Sequence, residues 1–177
     1  VKRQSGFLMP SFQNSNNSGT SIQIPYYKAI SESNDITFSP RLYFDNEILV
    51  QTEYRQANKN SDLTLDFSIN NDESATKKHI FADIKSTKSN KSLDFHFENV
   101  SNDQYLKENN IKSPIIDDYS ALHSYINYSS FDDDALFDLS IEVYEDLNKK
   151  KTDRYEYIFP NFNYEKNLYL ENEMRGD

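Results

Sequence analysis

Strict alternation of apolar and polar residues is the feature that most limits what this chain can fold into. From Asp62 to Asn70 it is unbroken, with Leu63, Leu65, Phe67 and Ile69 on one face and Thr64, Asp66 and Ser68 on the other. Successive side chains of a β-strand point to opposite sides, so this spacing describes a strand with one apolar and one polar face. The arrangement recurs where Ile80, Ala82 and Ile84 alternate with Phe81, Asp83 and Lys85, and where Leu93, Phe95 and Phe97 alternate with Asp94, His96 and Glu98. It returns where Phe137, Leu139, Ile141 and Val143 oppose Asp138, Ser140 and Glu142. Weaker alternation covers 22–26, 48–57, 122–128 and 155–164. The spacing predicts ten strands, near 7–12, 20–30, 35–44, 48–57, 62–69, 78–88, 92–98, 121–130, 135–147 and 154–164. No segment offers a comparable helical period.

The connections between these segments split by parity. Ser31 to Asn34, Asn58 to Ser61, Ser89 to Lys91 and Phe131 to Asp134 are short. Gln13 to Gly19, Asn70 to Lys77, Asn99 to Ser120 and Asn148 to Asp153 are longer, with Asp45 to Glu47 the exception. In an up-and-down antiparallel meander alternate connections share an end, so one end carries tight turns and the other long loops. That asymmetry, with strands of about ten residues that cover an apolar band of roughly 25 Å when tilted, is the pattern of outer-membrane β-barrels. The expected fold is therefore all-β, an antiparallel up-and-down meander forming part of a transmembrane barrel. The charged face (Asp66, Asp83, Lys85, Asp94, His96, Glu98, Asp138, Glu142) would line the lumen.

Composition narrows the function. Only 36% of the residues are hydrophobic and the mean hydropathy is -0.85, but 13 Tyr and 12 Phe argue for a structured sheet over a disordered chain. A net charge of -10 excludes nonspecific nucleic-acid binding, which needs a surplus of Lys and Arg. No apolar run is long enough for a membrane helix, and the opening VKRQSGFLMP has no signal-peptide character. The abrupt start without Met suggests a piece of a longer chain. There is no Cys, hence no disulfide or thiolate chemistry.

Near the N-terminus Arg3, Ser5, Gly6, Phe7, Leu8 and Pro10 follow an Arg-x-Ser-Gly-Phe-Leu-x-Pro pattern. After Gly19 come Pro25, Tyr26 and Tyr27, then Asp35, Thr37, Pro40 and Arg41, then Glu53, Tyr54 and Arg55. In this order and spacing these elements resemble the opening strands of the LptD family of lipopolysaccharide-assembly barrels. Past residue 55 only the meander pattern is similar. The resemblance implies residues 1–177 as the first strands of the barrel domain, preceded by a periplasmic jelly-roll domain and followed by further strands. It also implies lipopolysaccharide delivered to the outer leaflet of a Gram-negative outer membrane, the plug lipoprotein LptE inside the barrel, and periplasmic Lpt bridge proteins docked on the upstream domain. The first strands would form one side of a lateral gate. Pro10 and Pro25 are the candidate gate residues, because a proline removes a ladder donor and makes a seam easier to open.

Other features have blander readings. His79, His96 and His123 are far apart in the chain with no second His at ligand spacing, so no metal site is expected. Asp132, Asp133 and Asp134 lack the Gly and distal Glu of a calcium loop and read as a turn. The Asn99 to Ser120 connection either covers the lumen, meets lipopolysaccharide sugars or is a solvated loop. Tyr26, Tyr27, Tyr125, Tyr128, Tyr144, Tyr155 and Tyr157 are candidates for interfacial belts. Lys28, Lys85 and Arg55 are candidate contacts for an anionic lipid, with nothing to rank them. No nucleophile elbow or phosphate loop is present, so no enzyme and no cofactor is expected. Two alternatives stay open: another outer-membrane barrel, porin or receptor, and a secreted β-sandwich binding module whose apolar face packs on a second sheet.

Overall fold

The computed structural model describes residues 3–15, 19–44, 47–71, 76–169 and 175–176. Ten strand paths follow one another as an antiparallel meander. They comprise β1 (Gly6–Phe7) with β2 (Ser11–Ser15), β3 (Gly19–Gln23) with β4 (Tyr26–Ala29), β5 (Asn34–Tyr43), β6 (Ile48–Asn58), β7 (Ser61–Asn71), β8 (Thr76–Lys88), β9 (Lys91–Val100), β10 (Ala121–Asp132), β11 (Ala135–Asp146) and β12 (Tyr155–Lys166). Each path pairs with the next in sequence, and the sheet is open, its edges being β1 and β2 on one side and β12 on the other. Short β13 (Leu168–Tyr169) and β14 (Arg175–Gly176) form a separate ladder.

The connection parity expected from the sequence is present. Pairs Asn58↔Ser61, Lys88↔Lys91 and Asp132↔Ala135 close hairpins at one end. Ser89 supplies a positive φ of 51° in the second of these. Neighbouring hairpins are tied together there, since Ala57 N–H donates to the Ser33 carbonyl, Thr87 to Asn60 and Phe131 to Asn90, each at 2.8 Å. The interiors of the 13–19, 45–47 and 70–77 connections fall partly outside the described residues.

The first two expected strands need correction, because each is broken. Phe7 pairs with Tyr26 and Ser11 with Gln23, so three residues, 8–10, oppose only two, 24–25. That is a β-bulge, and Pro10 lies in it. Opposite β5 the second path keeps register across its break, from Gln23↔Arg41 to Tyr26↔Phe38.

The sheet is inverted relative to a soluble one. Leu65, Phe67 and Ile69 share a face with Ile80 and Phe97, and Phe67 is 42% and Ile80 50% exposed. On the opposite face Asp66, Ser68 and His79 are buried. The connection after β9, which contains a single helical turn α1 (Tyr105–Glu108), folds over that polar face. Its Tyr105, Leu106, Ile111, Ile115 and Ile116 form a small apolar core with Tyr43, Leu49, Phe81, Leu122 and Leu147. The apolar face of the strands therefore carries no second layer among the described residues, unlike a β-sandwich.

Candidate functional site: the first strands and the polar face

The break in the first two strands costs the ladder specific hydrogen bonds. Leu8 N–H donates to the Pro25 carbonyl at 2.9 Å, and Ile24 N–H donates to the Pro40 carbonyl at 3.1 Å. An antiparallel pair of this kind normally exchanges two bonds. Pro25 and Pro40 have no N–H to return, so both pairs keep one bond of two. Pro25 and Pro40 thus thin the first two interstrand seams, and Pro10 bulges the outermost path.

Beside this weak ladder lies a strong side-chain cluster. Asp35 is nearly inaccessible and accepts from Arg3 Nη1 and from Arg55 Nε, each at 2.8 Å, with the Tyr27 hydroxyl at 3.4 Å. Arg55 also lies 3.3 Å from Glu53. The cross-strand register Tyr27↔Thr37 and Asp35↔Arg55 brings these residues to one face. Ser5 Oγ accepts from Ala29 N–H at 3.0 Å, and Phe7 meets Tyr26 edge-on at 5.1 Å. Gly6 has open space where a Cβ would stand, so packing does not explain it. Four of the residues singled out in the sequence, Arg3, Tyr27, Asp35 and Arg55, thus form one ion-paired unit although up to 52 positions separate them.

A second network holds the long connection down. Ser68 Oγ lies 2.6 Å from His79 Nδ1 and 2.6 Å from the Tyr105 hydroxyl, and His79 Nε2 lies 3.3 Å from Asp66. Gln51 Nε2 donates to Asp66 at 3.0 Å and to the Lys112 carbonyl at 2.9 Å. These residue types also serve nucleophilic catalysis, but Ser68 is buried beneath Tyr105 and acts here as a latch. Burial pushes the Tyr105 hydroxyl up to about 12. Arg154 anchors the other rim, 2.7 Å from Asp103 and 3.4 Å from Glu145.

The histidines and tyrosines are rearranged relative to the sequence reading. His96 and His123, far apart in the chain, stand 6.4 Å apart between ring centroids, with Tyr125 stacked on His96 at 5.2 Å and Tyr144 on His123 at 4.1 Å. His96 bridges Asp83 and Glu98 at 3.2 and 2.9 Å, and His123 reaches Glu142 at 3.3 Å. Tyr27, Tyr125 and Tyr144 therefore belong to the polar face and not to an outer aromatic belt, whereas Tyr26 pairs with Phe38 and Tyr128 with Leu93 on the apolar face. Among the described residues no group of three His, Asp or Glu is placed to hold a metal ion. Asp133 caps its own turn, its N–H donating to Asp132 at 3.1 Å. Alternation could place each side chain on a face, but these partnerships depend on cross-strand register.

No protein-family model matches the chain. It is similar to proteins named LPS-assembly protein LptD: 36% identical over 77 residues to that of Pseudomonas entomophila, 39% over 54 to that of Shewanella oneidensis, and 42% over 57 to that of Nitrosococcus oceani. These matches cover 44%, 30% and 32% of this chain and only 8%, 7% and 8% of those relatives.

Proposed function

We propose that this chain is a section of an outer-membrane β-barrel that assembles lipopolysaccharide into the outer leaflet. The observation that carries the reading is the inverted sheet, with its apolar side chains bare and its charged side chains enclosed. Lipid would cover the first face and the barrel lumen the second. The similarity to LPS-assembly proteins supplies the cargo. The chain stands as the opening strands of the barrel domain, with an upstream jelly-roll domain and further strands completing the protein. The plug lipoprotein LptE would occupy the lumen, and the periplasmic Lpt bridge would feed lipid to the upstream domain. No chemical step is needed.

The seam of β1 to β4 is one side of the lateral gate. Pro25 removes one ladder bond and Pro10 distorts the edge, so the adjoining strand is released at lower cost than from a complete ladder, by about 1 kcal/mol per missing bond. The Arg3–Asp35–Arg55 unit keeps the inner side of the seam together while the outer contact opens.

Depletion of the full-length protein from cells, followed by labelling of surface lipopolysaccharide with an impermeant probe, tests the reading. Surface label should fall while total lipopolysaccharide persists inside the envelope; undiminished surface label rejects it. In the same assay Pro25→Ala should restore the donor to Leu8 and slow delivery, and unchanged delivery in both Pro10→Ala and Pro25→Ala would remove the gate assignment.

A further inference from the structure

Arg41 is a buried cation that no carboxylate among the described residues neutralises. It rises from β5 onto the polar face and is 2% exposed. Its Nη1 donates to the Asn109 carbonyl and lies 3.4 Å from the Tyr43 hydroxyl, and its Nη2 donates to Gln23 Oε1 at 3.2 Å. All three acceptors are neutral. Its Nε is buried and without a hydrogen-bond partner, and among the described residues no Asp or Glu pairs with it. A guanidinium cannot shed its proton at accessible pH, and a buried charge with no counter-charge is strongly disfavoured. Arg3 and Arg55, a few residues away on the same face, show the usual solution in their shared Asp35.

Arg41 lines an open groove on the polar face together with Thr37, Ser39, Glu53, Arg55 and Lys112. Lys112 stands on the long connection, whose backbone Gln51 fixes at this point, and its exposed ammonium has no carboxylate partner among the described residues. Glu53 is the acid of this lining, and Arg55 already engages it at 3.3 Å. A chain of net charge -10 thus gathers two uncompensated cations around one groove.

We propose that this groove binds a phosphoryl group, carried by a lipid headgroup or free in solution. A phosphate monoester carries a charge of about -1.5 to -2, which matches the two free cations, and its oxygens can reach donors on several sides at once. Arg41 supplies its positive charge from the floor of the groove, Lys112 closes from the rim, and Thr37 and Ser39 belong to the same lining. The choice of a phosphorylated glycolipid as the natural ligand rests on the transport reading above, whereas the anion site itself does not.

The test uses the full-length protein in non-ionic detergent, titrated calorimetrically with inorganic phosphate, and native mass spectrometry of retained lipopolysaccharide before and after enzymatic dephosphorylation. Wild type is expected to bind both phosphate and phosphorylated lipopolysaccharide. Arg41→Gln should weaken binding at least tenfold, Lys112→Gln about fivefold, and Arg41→Lys should recover part of the loss. Lys112 is exposed, so its variant reports on the site even where replacement of Arg41 disturbs folding. Retention of phosphorylated but not dephosphorylated lipid, sensitive to Lys112→Gln and without phosphate binding, assigns the site to a headgroup. Phosphate binding with no preference for phosphorylated lipid assigns it to the free ion. Equal affinity of wild type and Lys112→Gln for both ligands, with equal affinity of Arg41→Gln where it folds, overturns the proposal. Surface delivery that still fails on depletion would then leave the transport reading standing alone. Intact phosphate binding beside normal delivery on depletion would reject transport and keep the site.

Discussion

Replacing Phe67 by Arg tests the inverted sheet at its centre. Phe67 lies one residue from the midpoint of β7, between Thr52 and Ile80 on the apolar face, and is 42% exposed with nothing among the described residues layered over that face. If lipid covers that face, position 67 sits near the bilayer midplane, where an Arg on a barrel's outer face costs about 2–4 kcal/mol, against about 0–1 near the interfaces. Ile69 stands two residues nearer the long-loop end, about 5 Å along the membrane normal for a tilted strand, so Ile69→Arg should cost less than Phe67→Arg. Inward replacement at the same depth is governed by other contacts, which makes the outward pair the cleaner comparison. The measurement is guanidinium unfolding of the full-length protein refolded into phospholipid vesicles, followed by tyrosine fluorescence. In water the same substitution would cover exposed apolar surface with charge and cost almost nothing. Destabilisation below about 0.5 kcal/mol for Phe67→Arg, the range of ordinary surface substitutions, or no difference between positions 67 and 69, would refute the placement in lipid.

Single spin labels at Phe67 and Lys85 should report lipid and water respectively, because both positions are exposed and they stand on opposite faces; two water-accessible labels would contradict the barrel. Tyr105 gives a pH prediction. Burial pushes its hydroxyl up to about 12, above the ordinary phenol value of about 10, so the packing contribution is complete below about pH 10 and is lost as pH rises through about 12. Proteolysis at Lys107 and Lys112 should accelerate over that window, and Tyr105→Phe should abolish the steep rise. Asp35→Asn should destabilise the first strands by about 1–2 kcal/mol, a buried ion-pair effect reduced because Arg3 and Arg55 are half exposed; hydrogen exchange at Tyr27 and Lys28 unchanged from wild type would contradict it.

Much of the fold was legible because a period of two writes the facing of every strand residue directly into the chain. Leu65 and Asp66 were assigned to opposite faces from their neighbours alone, and the ten strand paths and the parity of their connections followed from the same pattern. What alternation cannot say is which face is covered, since a sandwich and a barrel wall share it. The bare Phe67 and Ile80 and the enclosed Asp66 and His79 decide that only in three dimensions. The bulge at Pro10 and the single bond at Leu8 and Pro25 depend on a one-residue register offset between two strand pairs. The union of Arg3, Asp35 and Arg55, the placement of His96 beside His123, and the unneutralised Arg41 likewise arise where distant segments meet. Strand periodicity is a local property of the backbone, and the sequence determines it residue by residue. Charge compensation and burial belong to pairs of segments, so register and the folding of the long connection onto the polar face settled them.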